Sequence, residues 1–240
     1  ELVNNSALID SVTGGDGTDT LQLTTSSGIT IAYTDDIGDR ITTVESITAG
    51  ASAGDISLTA HASLFSDGIT TIDLSGDTNA TGSNVIDVSN DDGAEAWTLT
   101  GSAGIDTITG DGGIDTITGG AGADVIDGGA GADVINGGAG DDNITGGAGA
   151  DVIDGGAGND IFKYSTTAEL VNTNALIDSI DGGTGTDTIQ LTAASGTTLT
   201  LAKTDLIEAR AANMESITAG ASAGVIDLTT SAGLFSDGIT

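Results

Sequence analysis

The chain has 240 residues, 39 glycines, no proline and no cysteine, and its 36 acidic groups face 4 basic ones for a formal net charge of −32. Aromatic residues make up 2% of it, which excludes a core built from large interlocking side chains and points to many small, regular contacts. The four cations, Arg40, Lys163, Lys203 and Arg210, form no basic patch, so nucleic acid is excluded as a partner: its phosphates would be repelled.

Residues 1–100 read as short β segments separated by Gly, Asn and Asp. Thr20-Leu21-Gln22-Leu23 and Ile29-Thr30-Ile31 alternate with period two, as do Asp55–Leu58, Thr71–Ser75, Val85–Ser89 and Trp97–Thr100. This pattern predicts an irregular parallel β-helix, with an isolated glycine–aspartate unit at 14–22. Residues 101–163 form a nonapeptide run, and 164–240 open a second copy of the first region. Residues 1–28 recur as 169–196, an offset of 168, and Glu45–Gly54 recurs as Glu215–Gly224, an offset of 170. A tandem array is therefore expected, of which this stretch is a slice. The only helix the sequence suggests is Ala202–Met214.

No apolar run approaches the ~18–20 residues of a membrane-spanning helix, so no membrane insertion is expected. Glu1-Leu2-Val3 does not open a signal peptide, and export or anchoring elements are expected outside this stretch.

The nonapeptides carry the chemistry. GSAGIDTIT, GDGGIDTIT, GGAGADVID, GGAGADVIN, GGAGDDNIT, GGAGADVID and GGAGNDIFK follow one another without a break. Position 6 is always aspartate: Asp106, Asp115, Asp124, Asp133, Asp142, Asp151 and Asp160. Position 8 is always apolar, from Ile108 to Phe162, and position 4 is always glycine. A glycine-rich linker would not keep isoleucine in register. If each unit is half a coil, Asp106, Asp124, Asp142 and Asp160 form one column, and Asp115, Asp133 and Asp151 form the other. Carboxylates stacked at roughly one strand spacing, ~4.8 Å, repel unless a cation lies between them. Calcium, with ~6–8 oxygen ligands and tolerant geometry, suits such a site better than magnesium or zinc.

This run resembles the RTX calcium-binding repeat, GGxGxDxUx. The resemblance implies an all-β fold, a parallel β-roll or β-helix solenoid with calcium ions between turns. The seven aspartates would then be ligands together with carbonyls of the glycine loops, from Gly119, Gly128, Gly137, Gly146, Ala121, Ala130, Ala139 and Ala148. About three ions are expected in the first column and two in the second, about five in all. Asp19 and Asp187, in isolated units, are further candidate ligands, against the alternative of a plain glycine turn. Folding and calcium binding are expected to be one event.

No nucleophile–base pair is found and no enzyme is expected. His61 has Ser231 as its repeat counterpart and reads as a surface residue, while Trp97 and Met214 read as packing. Asp73, Asp87 and Asp227 read as solvated or edge groups. A P-loop is excluded, since no Gly-Lys-Ser/Thr follows the glycines. An ice-binding threonine ladder is broken by Val125, Asn143, Ile161, Val134 and Val152 at position 7. In texture the chain is similar to RTX-type bacterial S-layer proteins, then to giant repetitive adhesins. That likeness implies type I secretion, a place at the cell surface, and self-association with identical subunits or repeats. Cell-surface polysaccharide is the other partner it implies.

Overall fold

The computed structural model describes residues 3–4, 7–8, 12–24, 29–31, 41–42, 44–51, 55–59, 69–90, 95–165, 171–172, 175–176, 178–192, 198–201, 211–219 and 225–228. Its two main sheets have nine strands each, and every pairing within them is parallel. The chain alternates between the sheets, so each pair of successive strands completes one coil of a solenoid. The first sheet runs from Ile29–Ile31 through Ile105–Thr109 and Ile161–Tyr164 to Ser216–Ala219. The second runs from Thr20–Leu23 through Thr98–Thr100 and Val152–Ala157 to Ala211–Ala212.

Period-two alternation explains why these segments are strands. In Val134–Ala139 the side chains alternate between exposed and buried, which places Ile135 inward and Val134 outward. Registration then stacks like on like. Ile86, Ile108, Ile126, Ile144, Phe162 and Ile189 pair in sequence across the first sheet, and Ile72, Leu99, Ile117, Ile135, Ile153 and Ile180 across the second. All twelve are buried and belong to one continuous core, which also holds Trp97 and Met214. The core is about two side chains thick. Each coil therefore contributes little apolar area and depends on its neighbours.

Coil size separates the regions. Pairing partners are 18 residues apart within the nonapeptide run, for example Thr107 with Val125 and Thr116 with Val134. Away from it they are 25 to 31 apart, as in Ser46 with Thr71 and Ile180 with Ala211, and the coil narrows on entering the run, to 22 between Val85 and Thr107 and 18 between Thr98 and Thr116. The extra residues leave the sheet between strands, so the ladders continue unbroken from one coil size to the other.

The helix suggested at Ala202–Met214 is not formed where its residues are described. Ala211–Ala212 is a strand pairing Ile180–Asp181, and Asn213 turns with φ 52°. An open strand edge outweighs alanine's helix propensity here. Residues 202–210 lie outside the described residues. Among those described there is no helix, hence none able to cross a membrane.

The two sequence copies fold alike locally. Val3–Asn4 pairs antiparallel with Ala7–Leu8, and Val171–Asn172 with Ala175–Leu176. Thr20–Leu23 pairs with Ser46–Ala49, and Thr188–Leu191 with Ser216–Ala219, in the same register. The first of these pairs lies in the second sheet, however, and its counterpart in the first.

Candidate metal centre

Between the strands of the run, each turn uses glycine for two different reasons. At positions 2 and 4 the backbone enters the left-handed region, as at Gly120 (φ 115°) and Gly122 (φ 124°), where other residues are strained. At position 1 the reason is space. A β-carbon on Gly119 would stand 2.4 Å from the carbonyl oxygen of Gly137 and 2.5 Å from Oδ2 of Asp124. Gly110 and Gly128 show the same crowding, from Gly128 O with Asp115 Oδ2 and from Gly146 O with Asp133 Oδ2. At Gly101 the oxygens are those of Gly119 and Asp106. The turn thus brings a carboxylate oxygen and a carbonyl oxygen from the next coil to one spot.

The aspartates stand in two columns. From the second aspartate of each column on, Oδ1 accepts the backbone N–H of the aspartate one coil earlier, while Asp115 Oδ1 accepts the N–H of Trp97. Asp106 donates to Asp124, Asp124 to Asp142 and Asp142 to Asp160 at 2.8–2.9 Å. In the other column Asp115 donates to Asp133 and Asp133 to Asp151 at 2.8 and 2.9 Å. Both columns extend beyond the run, to Asp187 below Asp160 and to Asp178 below Asp151. The same bond that holds Oδ1 fixes Oδ2. In Asp124, Asp133, Asp142, Asp151, Asp160 and Asp187, Oδ2 is buried without a hydrogen-bond partner.

Six buried, half-satisfied carboxylates are expensive as anions. Burial raises Asp133 and Asp142 from 3.8 to about 7, and the like charges of neighbouring aspartates add to it. Asp124 and Asp160 are raised to about 6 for the same two reasons. Burial also raises Asp106, Asp115, Asp151 and Asp187. A cation against the bare Oδ2 atoms would remove the cause. The donor set fits a hard ion: carboxylate and carbonyl oxygens only, with no thiol. Among the described residues no three His, Cys, Asp or Glu side chains cluster, so carbonyls must complete any site.

The expected carbonyl donors fall into two groups. Those of Gly119, Gly128, Gly137 and Gly146 converge with aspartate oxygens as described. Those of Ala139 and Ala148 already accept N–H bonds from Gly122 and Gly131 across the coils, and Ala121 and Ala130 register with them. Asp19 resembles Asp187 in both respects: its Oδ2 lacks a partner and its N–H donates to a glutamate, Glu45 in one copy and Glu215 in the other. Asp73 and Asp87 accept turn N–H groups from Ser75 and Ser89. His61 and the side chain of Asp227 lie outside the described residues.

Sequence reasoning missed Asp178, Asn84 and Asp111. Asp178 and Asn84 sit at aspartate-column levels without the glycine turn, so the nine-residue pattern does not reach them. Asp111 replaces a position-2 glycine and leaves a buried Oδ2 without a partner beside Asp115.

The family model for the RTX calcium-binding nonapeptide repeat matches residues 9–23, 100–135, 128–162 and 172–192. These segments are RTX repeats. The matches span both aspartate columns of the run and also the isolated units that hold Asp19 and Asp187, and together they cover less than half of the chain. The RTX repeats account for the glycine turns and give the buried aspartate columns a calcium-binding character. No curated protein and no solved structure matches the chain.

Proposed function

We propose that this chain is a calcium-rigidified structural segment of a large secreted bacterial surface protein, which folds on meeting extracellular calcium and assembles into an S-layer, sheath or filament. The observation that carries this reading is the pair of aspartate columns with buried, partnerless Oδ2 atoms in a solenoid whose core is too thin to offset their repulsion. Each site that binds the folded form stabilises it by ~2.7 kcal/mol when free calcium is ~100-fold above its dissociation constant. About five such ions would together supply roughly 13 kcal/mol, in the upper part of the ~5–15 kcal/mol that holds most domains folded. Calcium then acts as the switch between a self-repelling chain and a stiff rod.

Self-association with identical repeats is the favoured partnership, since the sequence repeats at an offset of 168 to 170 and its two copies pair their strands in the same register. Far-UV circular dichroism of the purified chain at pH 8, with calcium and with chelator, tests the switch. Unchanged β signal in chelator would end this reading. Electron microscopy of the calcium form tests the assembly. Ordered arrays or fibres support it, and isolated rods that never associate favour the extender of an adhesin instead.

A further inference from the structure

We propose that the aspartate columns are closed at two of their ends by metal-free caps made from the chain's own side-chain hydrogen-bond donors. Asn84 with Ser102 closes the start of the first column, and the Tyr164 hydroxyl closes the end of the second. This rests on the calcium reading of the columns given above.

An ion at the end of a column has coils on one side only, and so lacks half of the oxygens available to an internal ion. A carboxylate there needs another partner. Asn84 occupies the aspartate level one coil before Asp106, with which it registers. Its Oδ1 accepts the N–H of Ile56 at 2.8 Å, as the aspartates accept theirs, but its second atom is an amide nitrogen. That nitrogen donates to Ser102 Oγ at 2.9 Å and to Asp77 Oδ2 at 3.3 Å. Ser102 in turn donates to Asp106 Oδ2 from its backbone N–H at 2.6 Å and from its hydroxyl at 3.0 Å. The oxygen that is bare in Asp124, Asp142 and Asp160 therefore has two donors in Asp106. Asn84, Ser102, Asp77 and Asp106 are all buried, so they are out of reach of bulk solvent.

The residue at position 2 decides the difference. From the third unit on it is a glycine in the left-handed region, as at Gly120 and Gly138, whereas Ser102, like Asp111 in the second unit, keeps an ordinary backbone and turns its N–H onto the carboxylate. At the opposite end, Asp178 Oδ1 accepts the N–H of Asp151 at 2.9 Å, so this level repeats the ladder. Its Oδ2 accepts the hydroxyl of buried Tyr164 at 2.7 Å, in place of the bare state seen in Asp133 and Asp151. The caps mark which levels demand an ion and which do not.

The test counts calcium bound per chain, by atomic emission after equilibration in buffered calcium, in the parent, Ser102→Gly and Tyr164→Phe. Each variant strips the cap from one carboxylate, and each is expected to bind one ion more than the parent at matching β signal. The parent count in both variants overturns the proposal. If Tyr164→Phe does not fold, Ser102→Gly decides alone, since it only restores the glycine of the later units. A parent that binds no calcium would instead refute the calcium reading itself.

Discussion

Protons should substitute for calcium in this fold, because the same burial that calls for a cation also holds the aspartates' affinity for protons high. Asp133 and Asp142 sit near pH 7 and Asp124 and Asp160 near pH 6 in the folded, calcium-free chain, against 3.8 when exposed. The folded state then binds more protons than the unfolded one between those limits, so stability is present at low pH and lost as pH rises through 6 to 7. Going from pH 8 to pH 5 is worth roughly 3 kcal/mol for each of Asp133 and Asp142 and about 1 to 2 for each of Asp124 and Asp160. The four do not simply add, because each aspartate that takes a proton relieves the like-charge push on its column neighbours, but several kcal/mol together is a sizeable part of an ordinary domain's ~5–15 kcal/mol. In chelator, the β signal in circular dichroism should therefore grow as pH falls from 8 to 5, a range in which the chain remains strongly anionic. With calcium present the dependence should reverse, since protons and calcium compete for the same oxygens. A chelated chain whose β signal is flat or falling between pH 8 and 5 would refute the claim that aspartate charge is what opposes folding.

Asp142→Asn keeps the Oδ1 acceptor for the N–H of Asp124 while removing the charge. It should bind fewer ions yet retain more β structure in chelator at pH 8, as read by calcium titration and circular dichroism. Gly119→Ala places a methyl carbon against Gly137 O and Asp124 Oδ2 and should lower calcium occupancy in the first column, which isothermal calorimetry would detect. Ile135→Ala opens the thin core and should cost about 3 kcal/mol, raising the calcium concentration needed for half-folding without changing the number of ions bound.

The periodic part of the structure was legible because one spacing governs every contact in it. Nine residues per half-coil set the inward isoleucines, the left-handed glycines and the two columns together, so the columns and the ladder Ile108–Ile126–Ile144 could be drawn from residue positions alone. Legibility ended where the coil size changed. Asp178 lies 27 residues beyond Asp151 and Asn84 lies 22 before Asp106, and no fixed period predicts either. The Tyr164–Asp178 bond depends on a side chain reaching across the interior. That is a property of the folded cross-section, not of the pattern along the chain. Ala211–Ala212 shows the complementary failure: local propensity favoured helix, and a pairing edge supplied by Ile180–Asp181 overrode it.

The exchange of sheets between Thr20–Leu23 and Thr188–Leu191 has a consequence for symmetry. Crossing from one sheet to the other is half a revolution, so the stretch separating the two copies winds through an odd number of half-revolutions. Identical sequence then looks out from opposite flanks of the rod, and only two periods together restore the original aspect. The parity comes partly from the seven nonapeptides, since gaining or losing a single one would bring both copies round to the same flank. Nine residues are thus enough to convert a rod with equivalent surfaces on both flanks into one with a single preferred side.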